Sequence, residues 1–128
     1  MQKNIRIFTA FSACLAVVVL ALAAHALPRY LPEQTVNSIE TAGYLQLIHA
    51  IALLALSPQE TIYGKQFRTG LNLMALGSSL FSYSIYFISL KYVPGLEFVK
   101  FIWPLTPLGG IVLCAAWFLF GISMIKKD

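Results

Sequence analysis

The sequence predicts an all-α integral-membrane protein, a four-helix bundle formed by a single domain of 128 residues. Hydrophobic residues make up 59% of the chain and charged residues 11%, whereas soluble domains have about 45–50% and about 25%. Four apolar runs are each long enough to cross a hydrocarbon core of about 30 Å, which takes about 20 helical residues. Prolines and glycines, which form turns, separate these runs. Lipid is therefore the expected solvent and the first expected partner of this chain.

The first run, about residues 5–27, is rich in alanine, valine and leucine. Lys3 and Arg6 precede it and Ala24-His25-Ala26 ends it. This pattern also fits a secretory signal peptide with a small-x-small cleavage site. The run is longer than the roughly 7–15 apolar residues that such signals use, so we expect a retained membrane helix.

The other three runs cover about residues 38–57, 69–90 and 105–125. The second run is the weakest of the four and needs other helices beside it. Three polar side chains interrupt it, namely Glu40, Gln46 and His49. Together with the first run, these segments predict four spans in one domain that covers residues 1–128.

Basic residues predict how the four spans are oriented. With an even number of spans, the N-terminus, the middle loop and the C-terminus share one side of the membrane. This side carries six basic residues: Lys3, Arg6, Lys65, Arg68, Lys126 and Lys127. The opposite side carries three: Arg29, Lys91 and Lys100. Cytoplasmic loops are enriched in lysine and arginine, so we expect both termini in the cytoplasm of a bacterial cell, with the spans in its cytoplasmic (inner) membrane.

The charge and the cysteines exclude several classes of function. The formal charge of +4 is spread over the ends of the apolar runs and does not form the clustered basic face that nucleic-acid binding requires. Cys14 and Cys114 both fall inside apolar runs, where cysteine behaves as a small hydrophobe. The sequence contains no nucleophile elbow, phosphate loop or paired-carboxylate site. We therefore expect neither an enzyme nor a nucleic-acid-binding protein.

Gln46 and His49 form the most interesting polar pair. They lie nearly on one face of the second span, with Ala42 and Leu53 on the same stripe. Ionisable groups inside membranes are functional candidates, so His49 is a candidate proton carrier or ligand contact. The other interpretation, which we favour, is that both side chains hydrogen-bond to another helix, because a proton relay would need further acids at that depth.

His25 lies near the outer end of the first span and is a second candidate. A metal ion or haem between His25 and His49 is disfavoured, because their depths differ by roughly 10 Å at the helical rise. The sequence also lacks an HxxxH or CxxC motif and a cluster of carboxylates. No cofactor and no metal are expected.

The third span is unusually polar. One stripe at helical spacing carries Asn72, Ser79, Tyr83 and Tyr86, and another carries Ser78, Ser82 and Ser89. These stripes fit a channel lining, but small and hydroxylated residues also let membrane helices pack closely and hydrogen-bond. We favour packing, because pores usually show charged or carbonyl rings as well.

The fourth span opens with a packing motif. Thr106 fits an N-cap and Pro107 the first helical position, and Gly109 and Gly110 expose backbone to a neighbour. A narrow stripe of i, i+4, i+7 and i+11 positions then follows, namely Gly110, Cys114, Trp117 and Gly121. Such spacing lets a partner helix approach closely, in this chain or in another subunit.

Four blocks of sequence resemble a small family of integral-membrane proteins known as domain of unknown function 423, the YgdD-like and YwdK-like proteins. Ala24-His25-Ala26 keeps the histidine of a Gly-Ala-His-Gly pattern, and residues 45–50 match the Gln-x-x-His-Ala part of the second block. Residues 80–86 are similar to Leu-Phe-Ser-Gly-Ser-x-Tyr, with Tyr83 at the glycine, and residues 106–110 match Thr-Pro-x-Gly-Gly. The resemblance implies a four-helix membrane protein without an established activity.

Two functions from different classes follow as hypotheses. The leading one is a non-catalytic accessory, scaffold or assembly subunit that packs against itself, as a homo-oligomer, or against a larger membrane complex. The alternative is a small transporter or channel with a polar intramembrane cavity around His49, Gln46 and Asn72. A redox subunit that holds haem between its two histidines is a third idea.

Overall fold

The computed structural model describes residues 3–125, which form α-helices joined by short 3₁₀ turns and contain no β-strand. The all-α prediction is confirmed. Lys126 and Lys127, which enter the charge count, lie outside the described residues. The α-helices are α1 (Lys3–His25), α2 (Glu33–Leu56), α3 (Glu60–Ser89) and α4 (Leu105–Ile125).

Helix α2 begins five residues before the second apolar run and α3 begins nine residues before the third. An apolar run marks the hydrocarbon layer, whereas a helix continues into the polar interface as long as its backbone stays hydrogen-bonded. The 3₁₀ turn Ser57–Gln59 joins α2 to α3 with helical backbone angles on both sides. Within α3, Gly64 departs from helical geometry with φ of +76°, a value that glycine adopts without steric cost.

The described helices therefore form three stretches long and apolar enough to cross a membrane: Lys3–His25, Glu33–Tyr92, which is bent at Gly64, and Glu97–Ile125. The sequence predicts four. The difference has a physical reason, because the turn between α2 and α3 is itself helical and the two helices merge into one stretch of 60 residues.

Close packing joins α1 to α2, α2 to α3 and α3 to α4. The central pair α2–α3 thus carries α1 on one helix and α4 on the other. One apolar core packs Leu53 against Phe67, Leu71 and Phe120, towards the end of the bundle that holds Lys3. A second core lies at the opposite end, which we call the His25 end, and packs Ala23 against Val36 and Ile39.

Large apolar side chains cover the outside of the bundle. Phe11 is 72% exposed, Phe118 69% and Ile111 67%. Soluble monomers rarely expose large contiguous apolar patches, and here the exposed rings and branched chains run along helices of membrane-spanning length. Lipid is the environment that this surface requires.

Helix α4 packs on α3 through its glycines. A Cβ atom on Gly109 would lie 2.5 Å from the backbone nitrogen of Phe81 and 2.8 Å from the carbonyl oxygen of Gly77. The two backbones therefore approach more closely than any side chain at this position would allow. Gly110 lies beside this contact, and a Cβ atom there would be 3.9 Å from the Phe81 ring, an ordinary contact distance.

The prediction for the start of α4 was wrong in its register. The helix begins at Leu105, because the carbonyl groups of Trp103 and Pro104 already accept from the amides of Thr106 and Leu108. Thr106 therefore lies inside the first turn and is not the N-cap; its hydroxyl is 2.6 Å from the Ser84 hydroxyl. Pro107 follows within the same turn, where its missing amide costs no hydrogen bond.

The predicted packing stripe on α4 is also displaced within this chain. The buried positions are Gly109, Leu113, Ala116, Phe120 and Ser123. Cys114 and Gly121 are exposed, and a Cβ atom on Gly121 would have nothing within 4 Å. Adjacent helical positions are about 100° apart, so a shift of one residue exchanges the packed face for its neighbour. Leu113 and Phe120 offer more apolar surface to α3, which selects the register.

Candidate functional site

A set of buried hydrogen bonds, which we call the polar layer, joins α1, α2 and α3 in the middle of the bundle. Its centre is Gln46, only 2% exposed. The Gln46 amide nitrogen donates to the carbonyl oxygen and to the hydroxyl of Ser12, both at 2.9 Å. The Tyr86 hydroxyl donates to the Gln46 amide oxygen at 2.7 Å. One side chain of α2 thus holds its two neighbouring helices.

Two further contacts extend the polar layer. The fully buried Ser82 donates its hydroxyl to the backbone carbonyl of Ala42 at 2.9 Å. The hydroxyls of Ser12 and Tyr83 are 3.3 Å apart. Small residues let the helices come close enough for these hydrogen bonds, since short side chains allow close packing of membrane helices. Ala42, for example, is completely buried.

His49 lies one turn beyond Gln46 and connects α2 to α4. Its ring is 6% exposed, with Nδ1 2.7 Å from the carbonyl oxygen of Leu45. The indole nitrogen of Trp117 donates to His49 Nε2 at 3.3 Å. An indole N–H can only donate, so Nε2 is the acceptor and Nδ1 carries the proton that bonds to Leu45.

Gln46 in the polar layer and His49 next to it both have hydrogen-bond partners for their side-chain nitrogens. Both donor bonds and the acceptor of the Gln46 amide are engaged, and both ring nitrogens of His49 have partners. A buried hydrogen bond that is lost without replacement costs about 1–3 kcal/mol. Binding of a ligand or transfer of a proton would have to break these hydrogen bonds. Packing of the helices against one another keeps them intact.

Asn72 is separated from this layer. It lies on the outward face of α3 and is exposed, and its side chain makes no hydrogen bond to any residue in the range 3–125. The transporter alternative requires that His49, Gln46 and Asn72 line one cavity. They occupy three environments instead: His49 faces Trp117, Gln46 faces Ser12 and Tyr86, and Asn72 faces outwards.

The two histidines do not meet either. His25 is exposed at the last residue of α1. Ala23 packs against Val36 near the start of α2, and His49 lies 13 residues beyond Val36, away from the end of α1 that carries His25. At the helical rise this is about 20 Å, twice the separation expected from sequence and far beyond the reach of two ligands of one iron or zinc.

Sequence reasoning missed a charged pair at the junction of α2 and α3. Glu60 is buried, with a side chain 8% exposed, and pairs with Arg68, which is 61% exposed. The Gly64 bend brings these two residues together across eight positions. The sequence places both residues in a loop between apolar runs, and loop residues carry no periodicity from which burial can be read.

Two comparisons with known proteins identify the family. The family described as "Protein of unknown function (DUF423)" matches residues 9–110. The UPF0382 inner membrane protein YgdD of Escherichia coli K12 is 30% identical over 121 residues, covering 94% of this chain and 88% of YgdD. No solved structure matches the chain.

Relatives occur well beyond one bacterial group. The UPF0382 membrane protein SSP2132 of Staphylococcus saprophyticus is 29% identical and covers 98% of this chain and 99% of its own length. The UPF0382 membrane protein C1782.12c of Schizosaccharomyces pombe is 33% identical over 109 residues, 84% of this chain and 90% of its own.

These matches extend over almost the whole chain and agree with its apolar helical surface. Its relatives are named membrane proteins, one of them an inner membrane protein, and several of its helical stretches are long enough to cross a bilayer. The protein is accordingly a multi-pass protein of the bacterial cytoplasmic membrane, and it belongs to the DUF423 family.

Proposed function

We propose that the protein crosses the membrane four times and keeps both termini in the cytoplasm. The helical stretch Glu33–Tyr92 would be about 90 Å long if it were straight, three times the thickness of the hydrocarbon core. Instead α2 and α3 pack side by side, with Leu53 against Phe67 near their junction. A separate span for each of these helices accounts for both observations.

We further propose that the protein is a non-catalytic accessory or scaffold subunit, which packs against a second copy of itself or against a larger membrane complex. The observation that carries this proposal is the exposed amide of Asn72. Asn72 lies four residues beyond Arg68, about 6 Å deeper at the helical rise. Its short side chain does not span that distance back to the level of Arg68, whose own side chain pairs with Glu60.

An unpaired amide in hydrocarbon is unfavourable, and membrane helices relieve such groups by hydrogen-bonding to one another. Leu76, one turn further along the same face, is 51% exposed and offers an apolar contact beside the amide. A neighbouring helix with a polar side chain at this depth would satisfy Asn72 and cover Leu76 at once.

The polar layer supports the same role. Gln46, Ser82 and Tyr86 form hydrogen bonds to other helices of this chain. These bonds hold α1, α2 and α3 together in the interior of the bundle. The transporter alternative requires that these groups line one cavity together with Asn72. That hypothesis has less support, since Asn72 lies outside and the other groups already have partners.

The test compares Asn72→Leu with Asn37→Leu, which makes the same chemical change at an exposed position near the start of α2. Native mass spectrometry after purification in mild detergent should find the wild type and Asn37→Leu in a defined oligomer or with a stable partner. One interhelical hydrogen bond contributes about 1–2 kcal/mol, so Asn72→Leu should weaken this association about 5–30-fold. A wild type that is strictly monomeric and without a partner would refute the proposal.

A further inference from the structure

A cavity of about 290 Å³ opens at the His25 end of the bundle, between the end of α1, the turn that follows it, and the end of α3. We call it the outer cavity. Its wall includes Val19 and Leu22 of α1, Leu31 just before α2, Ile39 of α2, and Leu90 and Val93 in the connection that follows α3. It does not contain members of the polar layer other than Tyr86, so it forms a site of its own.

The outer cavity offers no hydrogen bonds from its interior. Three residues with hydroxyl groups line it. Ser89 donates to the carbonyl of Ile85, Tyr86 donates to Gln46, and Tyr30 is 79% exposed and so lies largely outside the cavity. A buried water molecule needs two to four polar partners. An apolar occupant is therefore favoured over water.

The depth of the cavity fits one leaflet of the bilayer. Val19 and Leu22 lie six and three residues before the end of α1, about 9 Å and 5 Å from it at the helical rise. The walls therefore span the depth at which acyl chains begin below the headgroups. The volume is at the lower limit for a ligand pocket, which suits part of one chain and excludes a whole lipid.

One cation adjoins the wall of the cavity. Arg29 is exposed in the turn whose neighbouring residues Leu27 and Tyr30 form the wall. The other charged groups of this end lie elsewhere: Lys91 lines a different cavity beside Tyr92, Glu33 and Glu40 line a third, and Glu97 accepts from the amide of Gly95. Positive charge thus lies where a lipid headgroup would lie when its chain fills the cavity.

We propose that the outer cavity binds one anionic phospholipid. An acyl chain lies along Val19 and Leu22, and the headgroup phosphate is held by Arg29. A basic side chain near a membrane surface favours anionic lipid by a modest amount, so the acyl chain supplies most of the affinity and Arg29 supplies the selectivity. This site is independent of the Asn72 face.

Native mass spectrometry of the delipidated full-length protein, titrated with phosphatidylglycerol or phosphatidylcholine, tests this proposal. The wild type should retain one lipid and prefer phosphatidylglycerol. Arg29→Gln should reduce that preference about fivefold, the value of one basic side chain at a lipid surface. Lys100→Gln removes a cation from the same end of the protein but not from the cavity, and should leave the preference unchanged.

A second pair of variants tests whether an acyl chain occupies the cavity. Leu22→Trp fills the cavity and should abolish retention of either lipid, whereas Val18→Trp, at a half-exposed position on the same helix outside the wall, should not. If Leu22→Trp does not fold, Val93→Trp fills the mouth from a loop residue and must give the same loss. Equal binding of the two lipids, unchanged retention in the filled variants, or a protein found in place of the lipid would each overturn the proposal.

Discussion

At the residue scale, two polar side chains of the second span connect α2 to the other three helices of the bundle. Gln46 and His49 can be singled out from the sequence, because polar residues in an apolar run have to find partners. Their partners cannot, since Ser12 and Trp117 are 34 and 68 positions away along the chain. Periodicity predicts which residues share a face of a helix, but it does not say which helix that face meets.

Gln46→Leu should destabilise the protein. The leucine fills a similar volume but leaves the hydroxyl of Tyr86 and the carbonyl and hydroxyl of Ser12 without their partner. We expect a loss of about 1–2 kcal/mol in the free energy of unfolding, measured by titration with denaturing detergent. Gln34→Leu changes an exposed position near the start of α2 and should stay within about 0.5 kcal/mol. Equal stabilities of the two variants would contradict the role of the polar layer.

The tautomer of His49 is a second prediction at this scale. Nitrogen-15 spectra of labelled protein at neutral pH should show the ring proton on Nδ1, because Trp117 donates to Nε2. Trp117→Phe replaces the indole by a smaller ring without a donor and should shift the Nε2 resonance while the Nδ1 proton remains. A proton on Nε2 in the wild type would be incompatible with the contact to Trp117.

At the element scale, α4 shows how a small error in register changes the interpretation of a whole helix. The sequence contains two adjacent glycines and cannot say which of them meets α3. In the structure Gly109 is the glycine that contacts α3. Gly77 lies opposite it, and a Cβ atom on Gly109 would collide with the backbone of α3. The exposed stripe with Cys114 and Gly121 stays a prediction for contact with another subunit.

Gly109→Ala should therefore weaken the packing of α4 on α3. The added methyl group meets backbone atoms that cannot rotate away, and overpacking of this kind costs about 1–3 kcal/mol. Gly121→Ala is the matched control, since its methyl group meets nothing within 4 Å; it should be neutral or slightly stabilising. Thermal unfolding in detergent compares the two, and a control that is as unstable as Gly109→Ala would argue against the close approach.

At the scale of the whole molecule, composition and the length of the apolar runs are sufficient to predict an all-helical membrane protein. The family is also recognisable, because its short blocks are spread in order over the chain. The way in which the backbone passes from α2 to α3 is harder to predict. Ser57-Pro58 predicts an interruption of the helix, but proline fits the first turn of a new helix, and the backbone departs from helical geometry at Gly64 instead.

The proposed topology makes a prediction for reporter fusions. Alkaline phosphatase, which is active only outside the cytoplasm, should be inactive when fused to the C-terminus and active when fused after Gly95 in the connection between α3 and α4. The physical reason is the charge distribution, with Lys3, Arg6, Lys65 and Arg68 all at one end of the bundle. Three spans, or an inverted orientation, would give a different pattern of activity at these two sites.

The central claim is that the Asn72 face of α3 contacts another protein in the membrane, and cross-linking in intact membranes tests it most directly. Leu76→Cys places a thiol on this face in a chain whose Cys14 and Cys114 are replaced by alanine. Ile51→Cys, on the exposed face of α2, is the control. The account predicts a discrete cross-linked product from Leu76→Cys and none from Ile51→Cys. No product from Leu76→Cys, or the same product from both, would contradict it.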